Sequence, residues 1–113
     1  MDRKAIFITG AASGIGLATA KRFASEGWLV GLTDVDGPGL QSALAAIGGD
    51  NAGFTHLLDV RSADEWERAL DAFLEASGGR LDVLVNNAGI FRVMPTVFTS
   101  ESEYRDIIDV NQV

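Results

Sequence analysis

The stretch TGAASGIG, Thr9 to Gly16, spaces three glycines so that bare backbone can lie against a phosphate. Gly10 permits a sharp turn, Gly14 leaves room for a pyrophosphate, and Gly16 lets a following helix pack close to the preceding strand. The first N–H groups of that helix offer partial positive charge to an anion. Ser13 and Ile15 complete the loop as candidate contacts. Asp34 follows about 20 residues on, where a carboxylate can accept from both hydroxyls of an adenosine ribose and would repel a 2′-phosphate. Ser13 and Val35, the flanking positions, carry no cation to welcome such a phosphate. The pattern therefore expects NAD(H) over NADP(H).

The elements around the loop explain how it would be held. Ala5 to Thr9 is a short apolar run, as expected of a strand buried on both faces. From Gly16 the period changes, and Gly16/Leu17, Ala20 and Phe23/Ala24 form a helical stripe that Gly27 stops. Trp28 to Thr33 is a second strand closed by Asp34. The unit then recurs: Asp36 and Pro38 open a helix with Leu40, Leu44 and Ile47 on one face, and Phe54 to Leu58 is a third strand. Ser62 to Glu65 reads as a capping box opening a helix with Trp66, Leu70 and Phe73 inward, before a fourth strand at Leu81 to Val85. Ser100 to Glu103 reads as a second box, opening a last helix. Such alternation expects one α/β unit, residues 1–113, with a parallel sheet and helical crossovers.

Composition narrows the partners. The net charge is −7 with nine Lys and Arg, which speaks against nucleic acid and anionic membrane as partners. With no cysteine and the single His56, neither a disulfide nor a metal site is expected. No apolar run is long enough for a membrane span or signal peptide core, so the chain reads as cytoplasmic.

Taken together, TGAASGIG, Asp34, Asp59-Val60 after the third strand and NNAG (Asn86 to Gly89) after the fourth resemble the short-chain dehydrogenase/reductase family over essentially the whole chain. The resemblance implies a partial Rossmann fold, a doubly wound parallel sheet of strand order 3-2-1-4 with flanking helices. It implies that Asp59 and Val60 flank the adenine, with Asp59 accepting from the exocyclic amine. Asn86 to Gly89, with Asn86, Ala88 and Gly89 as the named contacts, would border the adenosine and nicotinamide halves, Asn86 also tying neighbouring strands. Asn111 would hold a water of the catalytic proton relay, which makes it the one candidate catalytic residue.

The family's catalytic Ser and Tyr-x-x-x-Lys have no counterpart here. The one tyrosine is Tyr104, followed four positions on by Ile108, and the lysines are Lys4 and Lys21. The expectation is an NAD-binding portion of an oxidoreductase, truncated before its catalytic half and inactive alone. The alternative is a non-catalytic NAD-binding or partner-binding module from a shortened gene product. Truncation would leave Leu81 to Val85 as an unpaired apolar edge and expose Ile107 and Ile108 on the last helix. Self-association through either surface is expected.

Overall fold

A strand without polar residues before Thr9 belongs inside a sheet covered on both faces, and Ala5–Thr9, β1, is fully buried. The computed structural model describes residues 3–87 and, as backbone, 92–95. After β1 come α1 (Gly14–Ser25), β2 (Leu29–Asp34), α2 (Gly37–Ile47), a 3-10 turn (Gly49–Asn51), β3 (Gly53–Leu57), α3 (Ala63–Ala76), β4 (Val83–Asn86) and β5 (Arg92–Pro95). One sheet runs β3-β2-β1-β4-β5, parallel except for the last pair. The expected order 3-2-1-4 and the flanking helices are both present.

The side-chain alternation of β1 divides the core in two. Ala5 and Phe7 point to the layer of α3, with Trp66, Ala69, Leu70 and Phe73. Ile6 and Ile8 point to the layer of α1 and α2, with Ala20, Leu40 and Ala43. Phe73 meets Phe7 edge-on, centroids 5.5 Å apart, and a Cβ at Gly31 would come within 2.7 Å of the Phe73 ring. Glycine in the middle of β2 is thus a packing requirement.

Local signals set the helix ends. Asp36 Oδ1 accepts from Gly39 N–H at 3.0 Å to cap α2, and Gly48 ends it at φ 120°. Ser62 Oγ accepts from Glu65 N–H at 3.2 Å to cap α3. The expected reciprocal half of that box does not form. Ser62 N–H is engaged by the Asp59 carbonyl at 2.9 Å, so Glu65 Oε1 reaches past it to Asp59 N–H, also at 2.9 Å.

The expectation of an unpaired edge at the fourth strand is corrected. β4 starts at Val83, and β5 lies antiparallel to it with Val83 opposite Pro95 and Asn86 opposite Arg92. The chain folds back directly instead of crossing through a helix, and this return strand covers β4. The proposed last helix, including Ile107 and Ile108, lies outside the described residues.

At the opposite end of the sheet, Asp82 accepts from Ala5 N–H at 2.8 Å and from Arg80 Nε at 2.8 Å. Partial burial pushes the Asp82 carboxyl up, but Arg80, the Ala5 N–H and Lys4 together bring it below the ordinary carboxylate value. A folded-state value below the unfolded one contributes stability above the ordinary carboxylate range, and this is lost as pH falls through the depressed value. Replacing Asp82 by Asn should therefore flatten the acid limb of stability against pH. Urea midpoints between neutral and acid pH measure this, and an unchanged acid limb would refute it.

Candidate functional site

Gly10 and the segment Leu58 to Arg61 follow the carboxyl ends of β1 and β3, Asp34 ends β2, and together with Val35 they line a cavity of about 270 Å³. In open α/β sheets ligands settle in this crevice, where neighbouring strands of the sheet depart in opposite directions. Here the direction reverses at β1, between β2 and β4, and the cavity lies on the β2 side of that point, lined from the ends of β1, β2 and β3.

Each glycine of the loop has its own reason. Gly10 turns the chain at φ 63°, and Gly14 starts α1 at φ 59°. A Cβ at Gly14 would meet nothing within 4 Å, so its backbone faces open space. At Gly16 a Cβ would lie 2.2 Å from the Gly10 carbonyl oxygen. Ser13 is the N-cap residue but makes no side-chain cap, so the first N–H groups of α1 lack both an intrahelical acceptor and a side-chain cap. Ser13, Gly14 and Ile15 are exposed at this end.

Tethers from both sides fix the loop. Ala11 N–H donates to the Thr33 carbonyl at 3.0 Å and Ala12 N–H to Asp34 Oδ2 at 3.0 Å. Asp34 Oδ1 also accepts from Val35 and Asp36 N–H, at 2.8 and 3.1 Å. From β4, Thr9 Oγ1 donates to Asn86 Oδ1 at 3.0 Å and accepts from Asn87 N–H at 2.9 Å. Asn87 Nδ2 reaches the Gly10 carbonyl at 3.4 Å. Asn86 thus ties β4 to β1.

Asp59 is held at its carboxylate and at its backbone N–H. Arg61 Nε meets Oδ1 at 3.0 Å, Arg61 Nη2 meets Oδ2 at 2.7 Å, and Arg61 N–H adds a bond to Oδ1 at 3.0 Å. The side-chain bonds of Arg61, then its N–H, lower the Asp59 carboxyl from 3.8 to about 2 against a smaller opposing effect of burial. From α3, Glu65 holds Asp59 N–H and the Trp66 indole donates to the Val60 carbonyl at 2.9 Å.

The structure gathers Gly10, Asp34, Asp59 and Val60 at one cavity, with Gly16 packed against Gly10 and Asn86 bonded to Thr9 outside its lining, while Ser13, Gly14 and Ile15 lie exposed at the start of α1. Ala88, Gly89 and Asn111 lie outside the described residues. Arg61 was missed as a site residue from sequence, and Asn87 entered only within the NNAG segment. Arg61 carried one usable signal, its place two residues after an acid at a strand end, where an Asx turn forms readily. Among the described residues no cluster of His, Cys, Asp or Glu suits a metal ion, and no helix is long and apolar enough to cross a membrane.

Glycine loop, strand-end acid and parallel sheet define a doubly wound α/β fold of the kind in which dinucleotide sites are found. The chain belongs to the short-chain dehydrogenase family, whose family model matches residues 4–113. It is 36% identical to D-threitol dehydrogenase of Mycolicibacterium smegmatis, over 98% of this chain and 43% of that protein. It is 40% identical to cyclopentanol dehydrogenase of a Comamonas species, over 98% of this chain and 44% of that protein. Among solved structures, a short-chain dehydrogenase of Mycobacterium paratuberculosis bound to NAD superimposes with a TM-score of 0.71 at 29% identity, covering 79% of this chain and 38% of that one. A metagenomic short-chain oxidoreductase in complex with NADP gives 0.70 at 35% identity, covering 80% and 41%. The chain spans less than half the length of these curated relatives.

The two glycines that tolerate a side chain differently provide a test. Gly16→Ala drives a Cβ into backbone and should cost about 3 kcal/mol. Gly14→Ala meets open space and only the left-handed strain, about 1 kcal/mol. Chemical unfolding of both variants checks the order, and equal losses would mean that α1 does not need its close approach to β1.

Proposed function

We propose that this chain binds NAD(H) as the cofactor-binding portion of a short-chain dehydrogenase that interconverts an alcohol and a carbonyl. The observation that carries the reading is Asp34, a carboxylate on the rim of the 270 Å³ cavity with uncharged Ser13 and Val35 beside it. Oδ2 accepts a single hydrogen bond among the described residues and keeps an acceptor direction for ribose. The open backbone at Gly14 and the first turn of α1 suit the pyrophosphate, and the cavity suits adenosine.

Bound NAD(H) supplies the hydride chemistry. The residues of this chain would hold it: Gly10 to Gly16 at the phosphates, Asp34 at the ribose, Asp59 and Val60 at the adenine, and Asn86 to Gly89 towards the nicotinamide. Asn111 belongs to the reading as a water-holding group. Tyr104 with Ile108 four residues later does not make the family's acid/base pair, so the 113 residues alone should show no turnover. A cytoplasmic location fits NAD(H) use and the absence of cysteine.

Titration calorimetry with NADH and NADPH tests the preference. The unaltered chain should favour NADH at least roughly tenfold, because NADPH would set a phosphate against a carboxylate and lose a hydrogen bond. Asp34→Ala should erase that preference. If the variant still discriminated as before, Asp34 would not read the ribose.

Self-association is kept in the reading only through the segment carrying Ile107 and Ile108, whose apolar side chains support it. Sedimentation at rising concentration should show growth in mass, and a clean monomer throughout would overturn it.

A further inference from the structure

The sheet ends at β3, beyond which no strand pairs among the described residues. We infer that this edge is a contact surface for a second copy of the chain, whose β3 runs antiparallel to it and is centred on Thr55. The surface is independent of the cofactor reading and separate from the segment that carries Ile107 and Ile108.

Hydrogen-bond parity leaves the edge open. Val30 N–H donates to the Ala52 carbonyl and Leu58 N–H to the Asp34 carbonyl, both at 3.0 Å. Phe54 and His56 fall on the same parity and bond β2, so Gly53, Thr55 and Leu57 turn their backbone groups outward. The Leu57 carbonyl accepts from His56 Nδ1 at 2.8 Å and keeps a second lone pair. Helix α2 does not close this edge, because an open cavity of about 600 Å³ is lined by Pro38 and Gln41 together with Thr55 and Leu57. Folded proteins commonly guard an edge strand with charge, proline or a bulge. At the far edge of the sheet, β5 contains Arg92 and Pro95. The residues of β3 include neither, and its register against β2 is unbroken.

A second copy fits because the stretch GFTHL complements itself. With Thr55 opposite Thr55, that pair exchanges both N–H···O bonds, and Gly53 of each copy does the same with Leu57 of the other. Leu57, 57% exposed, then faces a residue without a side chain, flanked by Leu44 and Ile47. On the opposite face Phe54 meets His56 of the second copy, extending a stack present within each chain at 6.1 Å. Charge favours the same surface. At −7 overall, two chains repel, yet from Gly37 to Leu58 the one ionised side chain is Asp50. The antiparallel arrangement also brings the start of one edge, with Arg3 and Asp50, to the end of the other, with Asp59 and Arg61. Neither end sets acid against acid alone.

Sedimentation of the full chain at rising concentration, with amide hydrogen exchange read by NMR on the same samples, tests the surface. Mass should grow from 12.0 kDa towards twice that value. The Gly53 and Thr55 N–H groups should become protected in step, while those at the start of α1 do not change. Thr55→Lys sets two ammonium groups face to face and should raise the dissociation constant at least about tenfold. Thr55→Cys gives the chain its one cysteine, and Cα atoms about 5.5 Å apart across such a pair lie within disulfide reach. Mild oxidation should therefore link its copies faster than those of a Ser25→Cys chain. A monomer at every concentration overturns the inference, and so does growth in mass without protection at Thr55, which assigns association to another surface. Equal cross-linking of the two cysteine variants overturns it as well. None of these results bears on the cofactor reading.

Discussion

At Gly16 there is space for a hydrogen and nothing larger, because the Gly10 carbonyl oxygen stands where a Cβ would go. That contact sets how close α1 comes to the end of β1, and the remaining geometry of the site follows from it. At the start of the same helix, Gly14 faces open space. The contact also places the loop within reach of Thr33, Asp34 and Asn87, which hold it from two neighbouring strands. A helix standing further out would lose these tethers together.

The polar groups of the site serve fold and ligand at once. Asp34 accepts three backbone N–H groups, so the carboxylate that would meet a ribose is also the anchor of the glycine loop. Such anchoring keeps its oxygens oriented before any ligand arrives, which lowers the cost of ordering on binding. Asp59 is fixed in the same manner, by Arg61 at its carboxylate and by Glu65 at its N–H. The Trp66 indole holds the next carbonyl while its ring fills the core beside Phe7. Core packing on the α3 side is therefore coupled directly to the wall of the cavity.

Much of this was legible in the residues. The period change at Gly16, the glycines at Gly27 and Gly48 and the capping serine Ser62 act over one turn of chain, and the elements fell within a few residues of where those signals put them. The glycine spacing and Asp34 likewise located one wall of the cavity. The reach of Glu65 was not legible, because it depends on Ser62 N–H being taken by the Asp59 carbonyl. Nor was the cover of β4, since the residues of β5 carry no turn-and-strand pattern that distinguishes an antiparallel return from a crossover.

By itself, then, the sequence determined the strand–helix order, the glycine loop and the acid at the end of β2. Each rests on backbone freedom, side-chain period or charge within a short span. Tertiary structure alone decided which N–H groups the carboxylates accept, how Arg61 and Asp59 face the cavity, and which strand lies beside β4. Those outcomes depend on donors and acceptors brought together from distant parts of the chain, where satisfying every buried polar group at once selects among arrangements that local sequence leaves equal.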